Sequence, residues 1–458
     1  MPRLPLRCLG AAVLAALPLV VSAQGVRFSH LGALQASYGD RVFWGLAEAF
    51  SPTTPYDDSL VWFEMYAEGR AEFGDAQGGD GWYGAASVLA TGTLRTDVFA
   101  SRNTGRLMLE EAYVGWRGTT ANDLKLDLSL GSRDYRNGEG MLFATGGGNG
   151  FERGALTSAP HQAWAIAAVA RVSGAKAGGE VFYLDPDELK SGNTKTRLYG
   201  VRGEWRPVEN GRLGTTFSKV IASEAPYPFA PFGIVENGRD GLETWGVDAS
   251  FAPTAGALAG WSFRGEYATQ RSSRLSLDGW GAVAELGYRF GTVRYMPKFS
   301  YSPRYFSGDD PRTPGTIERF DPLFYEGSPP AWSSGANGSL NFYNSNLWVQ
   351  RYRVDLVFSE RDFGNLAYYD VRAAERNSPV QYGQGARLEI VDGTIGLVSG
   401  FPKTALTHEW YGEYTRVLSP HWFLTSGVAY AKPREGMRAV APNVETWWGV
   451  LVNLSWRY

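Results

Sequence analysis

Cysteine is all but missing: the only one is Cys8. It lies in an N-terminal stretch where Arg3 and Arg7 precede an apolar run from Leu9 to Val21 and a small-residue site, Val21-Ser22-Ala23. That order reads as a secretory leader, so residues 1–23 are expected to be removed and residues 24–458 to form one domain. Cys8 sits too far ahead of the cleavage site to carry a lipid. The mature chain then has no thiol, no disulfide and no cysteine metal site. Histidine is scarce as well: only His30, His161, His408 and His421 occur, and none stands in a His-Glu-x-x-His or similar arrangement. The expectation is no metal and no cofactor. Past the leader there is no apolar run of roughly 18 residues, which excludes a membrane-spanning helix. The net charge is -3, with no basic cluster, so nucleic acid is excluded as a partner.

What the chain does have is aromatic residues (14%), 57 glycines and a persistent period of two. The stretch Trp448 to Tyr458 shows it best. Every second residue gives Trp448, Val450, Val452, Leu454, Trp456 and Tyr458, while Gly449, Leu451, Asn453, Ser455 and Arg457 alternate with them. Such a run is a strand with one apolar, aromatic-tipped face. Leu60 to Phe73 repeats the pattern, with Phe63, Met65, Ala67, Ala71 and Phe73 on one face and Glu64, Tyr66, Glu68, Arg70 and Glu72 on the other. A charge facing lipid at the bilayer midplane costs about 2–4 kcal/mol, so the charged faces must line a wet interior. Mean hydropathy is only -0.25. That is compatible with a membrane barrel, because only alternate residues meet lipid.

Counting alternating runs gives about 18 strands of the length a tilted membrane strand needs. Connections support the count. Long ones (Gly39–Ser59, Asp134–Pro160, Ala222–Gly241, Pro303–Asn346, Glu375–Thr407) alternate with short ones (Gly118–Asp123, Ser173–Gly178, Pro207–Gly211, Gly291–Val293, Ser359–Phe363, Leu418–His421). The expected fold is therefore all-β: a transmembrane antiparallel up-and-down β-barrel with long external loops and short periplasmic turns. The expected location is the outer membrane of a Gram-negative cell, with lipid and lipopolysaccharide around the wall. A soluble β-sandwich or propeller would not place Trp and Tyr on one face and charges on the other. The terminal strand is expected to pair with Val26–Tyr38 and to present its aromatic end to the barrel assembly machinery.

Three short motifs add a resemblance. Leu109-Glu110-Glu111-Ala112-Tyr113-Val114-Gly115-Trp116, then Leu130-Gly131-Ser132-Arg133 with Gly138-Glu139-Gly140, and Arg319-Phe320-Asp321-Pro322-Leu323-Phe324 resemble the alginate-export porin family. The family's usual Gly-Arg-Gln after the fifth strand is Gly131-Ser132-Arg133 here. The resemblance implies an outer-membrane barrel of 18 strands that passes an anionic polysaccharide. It also implies a basic constriction, a gating turn or loop, and a periplasmic export partner.

The inward positions carry both signs. Cations include Arg70, Arg117, Lys125, Arg133, Arg202, Arg264, Arg289, Arg294, Lys298, Arg351, Arg353 and Arg372; anions include Glu64, Glu111, Asp127, Asp248, Glu266, Glu285, Asp355 and Asp370. Inward salt bridges that stiffen the barrel are one reading. The other leaves Arg117, Arg133, Arg202, Arg351 and Arg353 unpaired at a constriction, where arginine's planar fork suits carboxylate cargo. Glu111, Tyr113 and Lys125 complete the expected selectivity set. Tyr66, Tyr113 and Tyr411 are placed either to stack on sugars or to fill space.

Among the loops, Thr145 to Gly150 is expected to be flexible, and Asp185 to Glu188 a solvated turn rather than a calcium site. Pro303 to Asn346 is long enough either to fold inward as a plug, with Gly327 to Trp332 as a cap, or to stay outside as a surface-protecting loop. The functional expectation is a porin, not an enzyme, giving passive passage to an anionic polysaccharide or oligosaccharide. A general diffusion porin for polar solutes and a barrel enzyme with a rim Ser/His or Asp/His site are the alternatives.

Overall fold

The computed structural model describes residues 25–46, 59–74, 79–95, 102–228, 234–272, 274–313, 315–325, 342–379, 387–391, 394–398 and 400–458. The expected leader and the stretch Gly327–Trp332 lie outside them.

Eighteen strands close into one ring. In order they are β1 Val26–Asp40, β2 Ser59–Phe73, β3 Gly81–Leu94, β4 Gly105–Thr119, β5 Lys125–Arg133, β6 Trp164–Ser173, β7 Ala177–Pro186, β8 Arg197–Trp205 and β9 Gly211–Ala222. The second half runs β10 Glu243–Phe251, β11 Trp261–Ser272, β12 Leu277–Arg289, β13 Lys298–Phe306, β14 Leu347–Ser359, β15 Asp362–Ala373, β16 Ala405–Ser419, β17 Trp422–Pro433 and β18 Trp447–Arg457. Each strand pairs antiparallel with its neighbours in sequence. The ring closes from Leu31 opposite Arg457 to Asp40 opposite Trp448. Closure removes the two exposed strand edges that an open sheet would leave.

Alternation sets the faces. Leu107, Leu128, Leu130, Val181, Trp245, Leu366 and Val428 are exposed on the outer wall, the side that meets lipid in a membrane. Their sequence neighbours turn into the lumen, where Glu64, Arg202, Asp248, Glu266 and Arg351 are buried. At the seam the Trp456 indole lies over Gly32, where even a Cβ would come within 2.4 Å of it. Tyr458 extends the seam past the last strand: it exchanges two backbone hydrogen bonds with His30 (3.1 and 2.8 Å). Its ring stacks on His421 and His30 with centroids 4.4 and 4.7 Å away, and its hydroxyl accepts a hydrogen bond from Trp422 Nε1 at 2.9 Å. Deleting Tyr458 is expected to lower the yield of assembled barrel several-fold while leaving the selectivity of the assembled fraction unchanged. Heat-modifiable gel mobility and single-channel recording measure the two separately.

Three expectations need correction. The thirteenth strand begins at Lys298, not Arg294. Tyr295 and Met296 take positive φ (66° and 39°) in a longer turn, so Arg294 is not a lumen residue, and the strand continues through Pro303 to Phe306. The sixth strand begins at Trp164, so His161 belongs to the preceding loop. Asp370 and Arg372 face outward: on β15 the buried residues are Ala367, Tyr369, Val371 and Ala373, and Asp370 and Arg372 alternate with them.

Candidate lumen selectivity site

Loop 134–163, expected to lie outside, enters the barrel. Met141, Leu142, Phe143, Leu156 and His161 are buried. Three wall glutamates fasten it by accepting its backbone amides. Glu64 on β2 takes Thr157 N–H (3.0 Å) and Ser158 N–H (2.8 Å). Glu110 on β4 takes Gln162 N–H (2.9 Å) and Ala163 N–H (3.0 Å). Glu266 on β11 takes Glu139 N–H (2.9 Å) and Met141 N–H (3.2 Å). Strands β2 and β11 stand on opposite sides of the ring, so the loop forms a shelf across the lumen. A carboxylate accepting backbone N–H groups makes charge-assisted hydrogen bonds, about twice as strong as neutral ones.

Glu110 faces inward because β4 bulges. Ser87 pairs with Glu111 and Val88 with Leu109, which leaves Glu110 as the extra residue. Two consecutive glutamates therefore both point into the lumen, something strict alternation forbids. The bulge frees Glu111 to meet Arg70 at 2.8 Å while Glu110 holds the shelf. The same shelf carries Thr145 to Gly150, which is fixed rather than flexible: Gly146 N–H donates to Gln162 O (2.9 Å) and Gly148 N–H to Asp187 O (3.0 Å).

At the foot of the shelf His161 is 1% exposed. Its Nδ1 lies 2.5 Å from Glu110 Oε2 and its Nε2 3.2 Å from Asp187 Oδ2. Arg153 Nη2 reaches Asp187 Oδ1 at 2.6 Å. Burial alone would lower the His161 pKa, but the Asp187 and Glu110 carboxylates outweigh it and raise the pKa above the usual imidazole value. Burial would raise the Asp187 pKa; His161 and Arg153 bring it down to about 2. Glu188 is occupied by the Thr194 amide and hydroxyl, each at 2.8 Å. Among the described residues no carboxylate and histidine group is arranged for a metal.

A second inward segment comes from the 303–346 stretch: of the two expected alternatives, its described part takes the inward, plug-like one. Phe320 packs on Phe306 (5.5 Å between rings). Asp321 N–H donates to Gln270 Oε1 and Gln270 Nε2 donates to Asp321 O, both at 2.7 Å. The shelf and the plug join where Ala144 N–H meets Phe324 O at 2.8 Å.

The two inward segments leave charged walls beside them. On one side Arg117 pairs with Asp127 (3.0 Å) and lies 4.1 Å over the Tyr83 ring. Arg133 lies 4.6 Å over Tyr113, donates to Ser129 Oγ at 2.7 Å, and has no carboxylate partner among the described residues. Lys125 is exposed at the opposite end of β5 from Arg133. Arg202 is buried and bridged to Asp248. On the far side Arg264, Lys298 and Arg351 converge on Glu285, and Arg353 meets Asp355 at 2.6 Å. The expectation of unpaired arginines is thus corrected at Arg117, Arg202, Arg351 and Arg353. Inward carboxylates lie in register beside them, as Lys298 opposite Asp355 shows. Tyr411 fills space, donating to Glu413 at 2.7 Å.

The residue missed in the sequence is Arg304. It faces the lumen one register step above Ser302, half-buried, with neither an ion pair nor a hydrogen bond among the described residues, and its Nε is unpartnered. It borders a small cavity with Arg264, Glu285, Met141, Tyr325 and Asn344. A wider cleft of about 750 Å³ opens beside Arg264, Glu285, Lys298, Arg351, Arg353 and Asp355. The cations of this wall (Arg264, Lys298, Arg304, Arg351 and Arg353) outnumber its acids (Glu266, Glu285 and Asp355, with Glu139 reaching in from the shelf).

Comparison with known proteins agrees with this architecture. The chain is similar to Pseudomonas aeruginosa OprD (12% identity, 95% of each chain covered, TM-score 0.55). It is also similar to P. aeruginosa OccK2 (OpdF) solved with glucuronate (12%, 94% and 96%, 0.53) and to Acinetobacter baumannii OccAB2 (10%, 94% and 98%, 0.51). At such identities the likeness shows the fold alone. No curated protein sequence matches. The family model described as Alginate export matches residues 70–353, more than half of the chain. This span holds Glu110, Glu266, Glu285, Arg304 and Arg351, and the chain belongs to the alginate export family of outer-membrane barrels.

Proposed function

We propose that the protein is a multi-pass outer-membrane porin of a Gram-negative cell that gives passive passage to an anionic polysaccharide or oligosaccharide. The observation that carries this reading is the cation surplus on the β11–β14 wall, with the Arg304 guanidinium unpartnered. A free guanidinium in a small, partly dehydrated cavity attracts a carboxylate more strongly than one already neutralised. The paired arginines around it add rigidity and a graded field rather than single strong sites, which suits cargo that must leave as readily as it enters. The chemistry offered is binding and release without bond making. The four histidines are spent on structural contacts: His30 and His421 on Tyr458, His161 on the shelf and His408 on Tyr368.

In planar bilayers the wild-type barrel is expected to conduct and to be blocked by polymannuronate. Arg304→Ala should raise the half-blocking concentration roughly tenfold, the loss of one charge-assisted contact of about 1.5 kcal/mol. Conductance without block by any anionic sugar would leave a general diffusion porin. Absence of conductance would end both porin readings.

A further inference from the structure

Among the described residues the outer wall carries a charged cluster that faces away from the lumen. Across β14 to β17 the outward side chains fall in rows set by the strand register. Leu366 and Val428 flank Gly412 in the lowest row, and Tyr352, Tyr368, Trp410 and Tyr430 form the next. Directly beyond this aromatic row, toward the long-loop end, come Gln350, Asp370, His408 and Lys432. Arg372 follows, with its guanidinium 5.5 Å over the Trp348 ring. Arg372 Nη2 and Arg434 Nη1 both bind Asp370, at 2.8 and 2.7 Å. Lys432 is exposed and has no ion pair among the described residues. The nearby Glu435 is engaged by Lys403 at 3.6 Å. Three cations thus stand around one acid, which binds only two of them. At two other places on this rim a cation has an acid of its own, Lys219 with Glu243 (2.8 Å) and Arg271 with Asp278 (3.8 Å).

A second feature adjoins the cluster. An apolar trough of about 830 Å³ runs down the outer wall from Tyr352, Tyr368 and Trp410 past Leu366 and Val354 to Phe299. Aromatic side chains mark the membrane interface. The cationic cluster therefore stands at headgroup level and the trough at acyl-chain level. A ligand that fits both carries phosphate and long acyl chains in one molecule.

We propose that Arg372, Lys432 and Arg434 dock the phosphate of an outer-leaflet glycolipid, a lipopolysaccharide, whose acyl chains lie in the trough below. The site is separate from the lumen, so it stands or falls independently of the transported solute.

The test incubates the detergent-purified full barrel with lipopolysaccharide, removes free lipid and measures what is retained. Wild type is expected to retain it. The R372Q/K432Q/R434Q variant is expected to retain at least tenfold less, with heat-modifiable mobility and conductance unchanged. Enzymatically dephosphorylated lipopolysaccharide should bind wild type as weakly as the variant binds the intact lipid. If the triple variant does not assemble, Lys432→Gln alone, at an exposed position, should lower retention several-fold. Equal retention by wild type and variant, or equal retention of the dephosphorylated lipid, would overturn the proposal. So would displacement by millimolar inorganic phosphate, which would mark a free-anion site.

Discussion

His161→Ala is expected to loosen the shelf across the lumen and widen the channel. The imidazole bridges Glu110 on the wall to Asp187, and both ring nitrogens face carboxylate oxygens. Removing one member of a buried ionic set costs about 3–5 kcal/mol. The lower end applies, because Glu110 keeps the Gln162 and Ala163 amides. Expected readouts are larger, noisier single-channel steps and faster proteolysis within residues 134–163. The same set predicts a pH dependence. A raised His161 pKa means that its contribution is complete below the ordinary imidazole value of 6.5 and is lost as pH rises through the folded value. A depressed Asp187 pKa means the opposite: its contribution is present above 3.8 and is lost as pH falls through about 2. Docking should be firmest between these limits and loosen in alkali, and His161→Gln should abolish the alkaline transition. Identical conductance and proteolysis in wild type and variant from pH 6 to 9 would show that the histidine does not hold the shelf.

Glu285→Gln is expected to give the largest change in ion selectivity. One carboxylate serves three cations, Arg264, Lys298 and Arg351, and its loss leaves their field on the cleft. In a potassium chloride gradient the reversal potential should move toward the chloride value. A shift of about 1 kcal/mol, modest beside the Coulomb energy of close charges near a protein surface, gives a several-fold permeability change. Stability should fall too, seen as a lower temperature for heat modification, because Arg351 is buried and loses its wall carboxylate. An unmoved reversal potential would place the Glu285 group outside the conduction path.

How much of this was legible in the sequence varies by element. Strand number and faces were, because the side-chain period of two and the cost of a charge in lipid act locally and repeat in every strand. Glu64, Arg202 and Glu285 could be placed inside by counting alone. Counting failed where the backbone departs from the period. The bulge at Glu110 puts two successive carboxylates inside, and the long turn through Tyr295 and Met296 shifts β13 so that Arg304 was missed. Asp370 and Arg372 were misplaced because charge was taken as a sign of the lumen. Beyond the aromatic row a charge on the outer wall no longer meets lipid tails.

By itself the sequence determined a closed antiparallel barrel with an apolar belt, a charged interior and an aromatic seam. Each of those follows from short-range alternation and side-chain transfer energies. Only the tertiary structure decided which charges are spent and which remain. Whether Glu64 lines a pore or fastens a loop depends on Thr157 and Ser158, which lie far along the chain and reach it only because the loop turns inward. The pairing of Arg351 and the isolation of Arg304 are likewise set by register across strands and by what the inward segments cover. Ion pairing falls off over a few ångströms, and that distance is fixed by the closed ring rather than by any stretch of sequence.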